Sequence, residues 1–291
     1  MASNTIIVTG SNGQLGSELK ELAFIYSEYK FVFFSRQYLP INDKSAIEKV
    51  FLKHHPAYLI NCAAYTAVDK AESETEQANE INGTAIGTIA ALCKQYGTKF
   101  IHISTDYVFN GNATSPLTET DNVDPVNAYG ASKLLGEQLA LDHNPESIII
   151  RTSWVYSFYG KNFVKTMIHL MKERENIGVV SDQIGSPTYA ADLAEVIIKI
   201  ISSGKWEPGI YNFSNEGNIS WFDFANEIKT LIASSCTINP LKTKQFPTPA
   251  KRPKYSVLDK TKIQQVFSIQ LKDWKASLGE CIEKLQASTV Q

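Results

Sequence analysis

The chain has 291 residues, of which 43% are hydrophobic and 20% are charged, and its formal net charge is −2 at pH 7. This balance excludes the broad positive potential of proteins that bind nucleic acid or an anionic membrane. No apolar run approaches the roughly 18 residues of a membrane span, the first residues do not resemble a signal peptide, and the four cysteines are widely spaced, so a cytoplasmic protein is expected.

The first half of the sequence alternates short apolar runs with longer amphipathic ones. In chain order these runs predict a strand at 5–9, a helix at 14–26, a strand at 30–34, a helix at 44–55, a strand at 57–63, a helix at 75–96, a strand at 99–104, a helix at 129–142 and a strand at 147–153. Strands that are apolar on both faces and alternate with helices indicate a parallel sheet covered on both sides. The predicted fold class is α/β, with a Rossmann-type doubly wound parallel sheet. His102 lies in the fourth strand, which favours a buried core histidine.

The second half has a different rhythm, with longer amphipathic stretches and fewer apolar runs. Helices are predicted at 162–174, at 192–203, at 220–232 and over 273–286, with a strand at 209–214 and a Pro- and Lys-rich loop or linker at 240–255. Ser220 and Asp223 have the spacing of a capping box. We therefore predict a sheet domain at 1–158, to which 189–214 returns, and a smaller, mainly helical C-terminal domain at 159–291 that binds the substrate.

Three glycines follow the first predicted strand and lead into the first predicted helix. In TIIVTGSNGQLGSEL, Gly10, Gly13 and Gly16 take the spacing G-x-x-G-x-x-G. Glycine lets the backbone turn sharply and approach a pyrophosphate, while the helix N-terminus supplies free N–H groups and a partial positive charge. The motif stands between a strand and a helix, which is the context that a dinucleotide-binding loop requires, so it predicts such a loop. Its spacing is the one that short-chain dehydrogenase/reductases use.

The end of the second predicted strand indicates which dinucleotide binds. NAD sites usually place an acidic residue there to hold the ribose 2′-hydroxyl, whereas this sequence reads FFSRQ, with Ser35 and Arg36. An arginine suits a 2′-phosphate because of its charge and its fork of donors. We therefore expect NADPH as the preferred cofactor, with NADH also usable.

Tyr129 and Lys133, in YGASK, stand four residues apart at the start of a predicted helix. The spacing alone is weak evidence, since Tyr26 and Lys30 repeat it. Residues i and i+4 share one helix face, so the Lys133 ammonium is expected to stabilise the Tyr129 phenolate and lower its pKa. Thr105, after the fourth strand, would polarise a carbonyl. Together the three residues predict a carbonyl-reduction site in which Tyr129 donates the proton.

Seven motifs run in order over nearly the whole chain: VTGSNGQLGSEL, INCAAYTAVDKAE, HISTDYVFNG, NAYGASKLLGE, RTSWVYS, SDQIGSPTYAADLA and RPKYSVLD. Together they resemble the dTDP-4-dehydrorhamnose reductase family of extended short-chain dehydrogenase/reductases. The resemblance implies reduction by NAD(P)H of the C4 ketone of a nucleotide-linked 4-keto-6-deoxy sugar, typically dTDP-4-dehydro-L-rhamnose giving dTDP-L-rhamnose. Which sugar and which nucleotide base bind cannot be read from these spacings.

The resemblance also implies roles for the matching positions. Thr105, Tyr129 and Lys133 match the catalytic triad. The cofactor would contact Gly10, Asn12, Gly13, Gln14, Leu15 and Gly16 in the loop, Ala63, Ala64 and Tyr65 after the third strand, and Tyr129 and Lys133. The nucleotide-sugar substrate would contact Thr66, Val68, Thr105, Asp106, Tyr107, Tyr129, Trp154 and Arg252, the last through the diphosphate.

The sequence departs from the family pattern in two places. Members often carry an aspartate near the adenine, where LPIND places Pro40, so adenine contacts would fall to Ile41 and Asn42. Some members are dimers linked by a metal ion through glutamates, and these glutamates cannot be matched here. The five histidines also lack zinc-ligand spacing. No metal is therefore expected, and a homodimer is left open.

Two other functions fit the same fold. Nucleotide-sugar dehydratases tend to have Thr-Asp-Glu after the fourth strand, and they and the epimerases consume no cofactor; here Thr105, Asp106 and Tyr107 favour simple reduction. One branch of the superfamily is a non-catalytic regulatory subunit of methionine adenosyltransferase that binds dinucleotide without turnover. The intact triad favours an enzyme over this alternative.

Overall fold

The computed structural model describes residues 4–288. In chain order the strands are β1 (Thr5–Thr9), β2 (Lys30–Phe34), β3 (Tyr58–Asn61), β4 (Lys99–Thr105), β5 (Ile148–Thr152), β6 (Val155–Tyr156), β7 (Asn176–Val180), β8 (Ile184–Gly185), β9 (Thr188–Tyr189), β10 (Gly209–Asn212), β11 (Ile219–Ser220) and β12 (Thr237–Leu241). The α-helices are α1 (Gln14–Leu22), α2 (Lys44–His54), α3 (Thr75–Asn79), α4 (Ala85–Tyr96), α5 (Ala128–His143), α6 (Phe163–Glu173), α7 (Ala190–Ser202), α8 (Trp221–Leu231), α9 (Thr261–Phe267) and α10 (Trp274–Ala287). None of the helices described has the length and apolar character that crossing a bilayer requires.

A six-stranded parallel sheet in the order β10-β5-β4-β3-β1-β2 forms the centre of the molecule. Residues of α1, α7 and α9 pack on one face, and residues of α2 and α4 pack on the other. Every residue of β1 and β5 is buried, which explains their apolar sequences. The predicted α/β fold with a doubly wound parallel sheet is confirmed. The strand order reverses between β1 and β3, and ligands of such sheets bind outside the carboxyl ends at this point.

A second apolar core lies in the C-terminal half. It joins α6, α8 and α10, and its buried side chains include Tyr156, Phe224 and Trp274. The capping box predicted at the start of α8 is confirmed: the Ser220 hydroxyl accepts from the Asp223 N–H, and the Asp223 carboxylate accepts from the Ser220 N–H at 2.9 Å. This cap sets where α8 begins.

Two predicted helices differ from those observed. The first ends at Leu22 rather than at residue 26. Beyond it, the N–H groups of Phe24 and Ile25 bond to carbonyls only three residues back, in a turn that leads back to β2. The long helix over 75–96 is interrupted by a π-turn at Glu80–Thr84. There Asn82 points its amide at the backbone of Tyr65, which ties the helix to the loop after β3.

The pairing of β7 with β12 was not predicted. These strands run parallel, with Ile177 opposite Ile238, and β12 extends into the segment predicted as a loop from residue 240. Their segments are separated by more than 50 residues, and a pairing between such distant segments has no signal in either local pattern.

Candidate active site

A cavity of about 690 Å³ opens at the carboxyl edge of the sheet, across the switch point between β1 and β3. Its first wall is the glycine loop. Gly10 has a φ of +65°, and a Cβ there would collide with the backbone of Ala63, so only glycine lets the loop lie against the end of β3. Gly13 directly precedes helix α1, which begins at Gln14 and has no side-chain cap. The first turn of α1 therefore presents free backbone N–H groups that can donate to a pyrophosphate. The glycine loop and this turn together fit a dinucleotide.

The end of β2 forms the far side of the same cavity. Arg36, Ile41 and Asn42 line it. The positive charge of Arg36, which we predict to bind a 2′-phosphate, therefore lies in the same cavity as the glycine loop. Ser35 does not line the cavity; it is buried, and its carbonyl accepts from the N–H groups of Tyr38 and Leu39. Its backbone shapes the turn that carries Arg36.

The loop after β3 is held by a side chain on the neighbouring helix. Asn82 accepts from Tyr65 N at 2.8 Å and donates to Tyr65 O at 2.9 Å. The same amide donates to the Ser132 hydroxyl at 3.0 Å, in the helix that carries Tyr129. Because one amide satisfies three partners, it sets the position of this loop relative to α5.

The proposed triad lies on two elements that meet at the cavity. Thr105 is the last residue of β4, and its hydroxyl donates to Asp106 Oδ1 at 3.0 Å and accepts from Tyr107 N at 3.2 Å. Tyr129 and Lys133 stand in the first two turns of α5, which Asn127 caps by accepting from Gly130 N at 2.7 Å. All three triad residues line the cavity.

The expectation that Lys133 lowers the pKa of Tyr129 is wrong for this structure. Burial, and to a lesser extent the Asp106 carboxylate, raise the pKa of Tyr129 to about 12, against the opposing hydrogen bond with the Thr105 side chain. The Lys133 Nζ instead donates to the Ile103 carbonyl at 2.6 Å and lies 3.2 Å from His102 Nε2. Burial lowers the pKa of Lys133 to about 8, against the opposing charge of Glu137. Tyr129 is therefore a neutral phenol at neutral pH, the form that can donate a proton.

A buried carboxyl group adjoins the triad. Asp106 is 1% exposed, and its Oδ2 has no well-aligned hydrogen-bond partner among the residues described. Burial raises the pKa of Asp106 to about 6, while the hydroxyls of Ser256 and Thr105 lower it. Asp106 as a residue lines the cavity, so this carboxyl group lies close to any bound substrate.

Two residues predicted to bind the substrate, Trp154 and Arg252, differ in their position relative to the cavity. Trp154 lines the cavity, stacks on Trp221 with ring centroids 3.6 Å apart, and has an unusual φ of +48°. Arg252 does not line the cavity: its Nη2 lies 2.9 Å from Asp69 Oδ2, and its Nη1 donates to the Ala250 carbonyl. Arg252 therefore ties its own loop to the segment after β3.

The structure brings most of the predicted site residues together. The cavity is lined by Gly10, Asn12, Gly13, Gln14, Leu15, Arg36, Ile41, Asn42, Ala63, Ala64, Tyr65, Thr66, Val68, Thr105, Asp106, Tyr107, Tyr129, Lys133 and Trp154. Gly16 lies outside it, packed where a Cβ would meet Gly10 and Ser11. Within residues 4–288, no three His, Cys, Asp or Glu side chains gather as a metal site.

Several lining residues were not predicted. Asn61 and Ile103 lie in strands, Gln77 lies in α3, and Gly160 and Lys161 follow β6. Polar residues at strand ends were a usable signal for Asn61, because such ends meet at one edge of the sheet. Lys161 has no comparable signal, since a lysine in a loop is usually a solvated surface group.

The comparisons with known proteins identify the same protein family over nearly the full chain. The family model for the RmlD substrate binding domain matches residues 4–287. The dTDP-4-dehydrorhamnose reductase of Aggregatibacter actinomycetemcomitans is 41% identical over 283 residues, covering 94% of this chain and 96% of that relative. The crystal structure of dTDP-4-dehydrorhamnose reductase from Bacillus anthracis in complex with NADP has a TM-score of 0.93 at 41% identity, covering 97% of this chain and 99% of that one. A dTDP-4-dehydrorhamnose reductase structure from Clostridium acetobutylicum has a TM-score of 0.92 at 41% identity, with the same coverage.

Proposed function

This chain belongs to the RmlD substrate binding domain family, the family of dTDP-4-dehydrorhamnose reductases, and we infer that it is an NADP-dependent oxidoreductase that reduces the C4 ketone of a nucleotide-linked 4-keto-6-deoxy sugar. The substrate is dTDP-4-dehydro-L-rhamnose and the product dTDP-L-rhamnose. One observation carries this function: Thr105, Tyr129 and Lys133 line the same cavity as the glycine loop. A carbonyl group and a dinucleotide can therefore meet at one place.

NADPH, when bound, supplies the hydride. Gly10, Gly13 and the N-terminus of α1 are proposed to hold its pyrophosphate, and Arg36 its 2′-phosphate. Support comes from the position of these groups along one cavity and from the relative crystallised with NADP. NADH is expected to be used as well, less efficiently, because the 2′-phosphate contact is then lost.

Tyr129 is proposed to donate its phenolic proton to the carbonyl oxygen, and Thr105 to hold that oxygen by its hydroxyl. The raised pKa of Tyr129 keeps the phenol protonated until the oxygen gains charge. Lys133 is proposed to resupply the proton, since burial lowers its pKa to about 8, within reach of neutral pH. Asp106, Tyr107 and Trp154 would orient the sugar, and Thr66 and Val68 would contact it from the loop after β3.

The division of the chain into a cofactor unit at 1–158, with 189–214 returning, and a substrate unit at 159–291 is part of this proposal. The pairing of β10 with β5 supports the return of the later segment. A cytoplasmic location is also proposed, and the four free thiols support it. Cell fractionation tests the location, and light scattering of the purified chain tests whether it is a homodimer.

An NADPH-oxidation assay tests the function. The purified chain is incubated with NADPH and dTDP-4-dehydro-L-rhamnose, and the product is identified by mass spectrometry and NMR. A panel of other 4-keto-6-deoxy sugar nucleotides then measures selectivity for sugar and base. We expect one NADPH consumed per dTDP-L-rhamnose formed, with the highest kcat/KM for this substrate.

The same assay separates the alternatives. A dehydratase or epimerase would convert a sugar nucleotide without net oxidation of NADPH. A regulatory subunit would bind the dinucleotide, measured by calorimetry, and turn over none of the panel. Either result would overturn the reductase assignment.

A further inference from the structure

A chain of buried side chains lies beneath the proposed triad and connects Lys133 to residues of the sheet. Lys133 Nζ lies 3.2 Å from His102 Nε2, His102 Nδ1 lies 3.0 Å from Asn61 Nδ2, and Asn61 Oδ1 accepts from the Thr9 hydroxyl at 2.6 Å. His102 and Asn61 are both 0% exposed, and Lys133 is 2% exposed. The sequence-based interpretation of His102 as a buried core residue describes its burial but not its contact with Lys133.

The backbone decides which way the Asn61 amide points. Asn61 Nδ2 lies 3.1 Å from the Ala63 carbonyl oxygen, so this atom must be the donating nitrogen. The reversed amide would place two oxygens against each other. The second N–H of the same nitrogen then points to His102 Nδ1, and both donors of the amide are used.

This orientation determines the tautomer of His102. A ring nitrogen that accepts from Asn61 carries no proton, so the single proton of the neutral imidazole lies on Nε2. The ring is neutral because burial, and then the Lys133 charge, lower its pKa well below the ordinary value. The Nε2–H group therefore points at Lys133 Nζ. An ammonium group has no lone pair to accept it, whereas a neutral amine has one.

We propose that His102 is a positioning residue for the reduction: held by Asn61 as the Nε2–H tautomer, it donates to Lys133 Nζ and stabilises the neutral amine of Lys133. Lys133 then exchanges its proton near neutral pH, where a proton-transfer group works best. This role rests on the proposed reductase function.

The proton steps balance. Tyr129 gives its proton to the carbonyl oxygen as the hydride reaches the carbon, and the Lys133 ammonium returns a proton to the phenolate. The amine so formed donates to the Ile103 carbonyl and accepts from His102 Nε2–H until water reprotonates it. His102 itself neither gains nor loses a proton.

Glu137 affects the protonation of Lys133 in the opposite direction to His102. Glu137, one turn further along α5, favours the ammonium. Its carboxylate is already shared with Arg151 and the Ser104 hydroxyl, which limits this effect. His102 is the group that faces Lys133 from β4, and Tyr129 shares its face of α5.

The first test needs neither substrate nor activity. The full chain is labelled with ¹⁵N-histidine, and long-range ¹H–¹⁵N NMR reads the protonated nitrogen of each of its five histidines. His102 is assigned by its missing signal in the variant His102→Gln. We expect a neutral ring with its proton on Nε2 across the neutral pH range. A proton on Nδ1, or a charged ring, would overturn the proposal, and this result is independent of whether the chain is a reductase.

The second test follows Lys133. In ¹³C-lysine-labelled protein, the Lys133 Cε signal, assigned with Lys133→Arg, reports its titration. The substitution His102→Gln replaces the ring N–H by an amide whose carbonyl oxygen can accept from the ammonium, so the titration midpoint of Lys133 is expected to rise by about one pH unit. The alkaline limb of kcat/KM should move up equally. His169→Gln, at a surface histidine paired with Glu173, is the control and should change neither. A folded His102→Gln protein with an unmoved midpoint would reduce His102 to a packing residue.

Discussion

Arg151 Nη2 lies 2.6 Å from Glu137 Oε2, and the two side chains are only 3% and 2% exposed. Arg151 Nε also donates to Glu137 Oε1 at 2.9 Å, and the Ser104 hydroxyl donates to the same oxygen. The pair therefore joins β5 and β4 to α5 one turn beyond Lys133. It holds the helix that carries Tyr129 against the strand that ends at Thr105.

The substitution Glu137→Gln removes the charge that compensates Arg151. An unpaired buried charge costs about 3–5 kcal/mol, so the free energy of unfolding should fall by about this amount. Urea denaturation followed by circular dichroism measures it. The exposed Glu283→Gln on α10 is the control and should stay within about 0.5 kcal/mol of the wild type. The double variant E137M/R151M should recover much of the loss, and a single variant as stable as the control would contradict the pair's role.

The substitution Tyr129→Phe removes the proposed proton donor and keeps the ring. We expect kcat to fall about 10²–10⁴-fold, the range of general acid catalysis, with NADPH affinity nearly unchanged. Stopped-flow NADPH oxidation and calorimetry measure the two quantities. Tyr26→Phe, in the look-alike Tyr26–Lys30 pair, is the matched control and should retain full activity. Undiminished turnover by Tyr129→Phe would remove this tyrosine from the mechanism.

The substitution Arg36→Gln tests the cofactor preference. Loss of a charged hydrogen bond to the 2′-phosphate costs about 1.5–3 kcal/mol, so kcat/KM for NADPH should fall about 10–100-fold while the value for NADH stays constant. Parallel assays with both cofactors measure the ratio. Arg174→Gln, at an exposed arginine that does not line the cavity, is the control. An equal fall for both cofactors, or a wild type that prefers NADH, would argue against a 2′-phosphate contact.

The substitution Arg252→Gln tests the proposed diphosphate contact. Since Arg252 is bound to Asp69 at 2.9 Å, it must release or share this carboxylate to meet a diphosphate. We expect KM for the nucleotide sugar to rise about 10–100-fold, the equivalent of one charged hydrogen bond, with KM for NADPH unchanged. Lys251→Gln, the adjacent cation, is the control. If Arg252 only ties the two loops together, Asp69→Asn should have the same kinetic effect as Arg252→Gln.

The substitution Asp106→Asn should change how stability depends on pH. Folding raises the pKa of Asp106 from 3.8 to about 6, so the folded state holds the proton more tightly than the unfolded state. Stability of the wild type therefore falls as pH rises from about 4 to about 6. At 1.36 kcal/mol per unit, the shift corresponds to about 3 kcal/mol. Denaturation at several pH values should show this slope reduced in Asp106→Asn and retained in the exposed control Asp142→Asn; an unchanged slope would assign the pH dependence to other groups.

Local sequence was sufficient for the sheet, its covering helices and most of the cavity wall. The strands β1 to β5 follow from apolar runs, since burial on both faces demands them. Gly10 and Gly13 follow from the turn that a phosphate-binding loop requires, and Tyr129 and Lys133 from their spacing at a helix start. Each of these features depends on neighbours within a few residues.

The electrostatics of the site could not be read in this way. The spacing of Tyr129 and Lys133 predicted a lowered tyrosine pKa, whereas burial raises it. Lys133 Nζ donates to the Ile103 carbonyl and lies 3.2 Å from His102 Nε2 on β4. Which strand lies under a helix, and which of its atoms face inward, is decided by packing between segments far apart in the sequence.

The sequence by itself determined the parallel α/β architecture, the glycine loop after β1 and the spacing of the proposed triad, because turn geometry and helix and strand periodicity are local properties of the chain. Only the tertiary structure decided the pairing of β7 with β12, the bond between Arg252 and Asp69, and the contacts of His102 with Asn61 and Lys133. The physical reason is that hydrogen bonds and burial depend on distance in space, and the proton affinity of a buried group follows from the atoms that surround it.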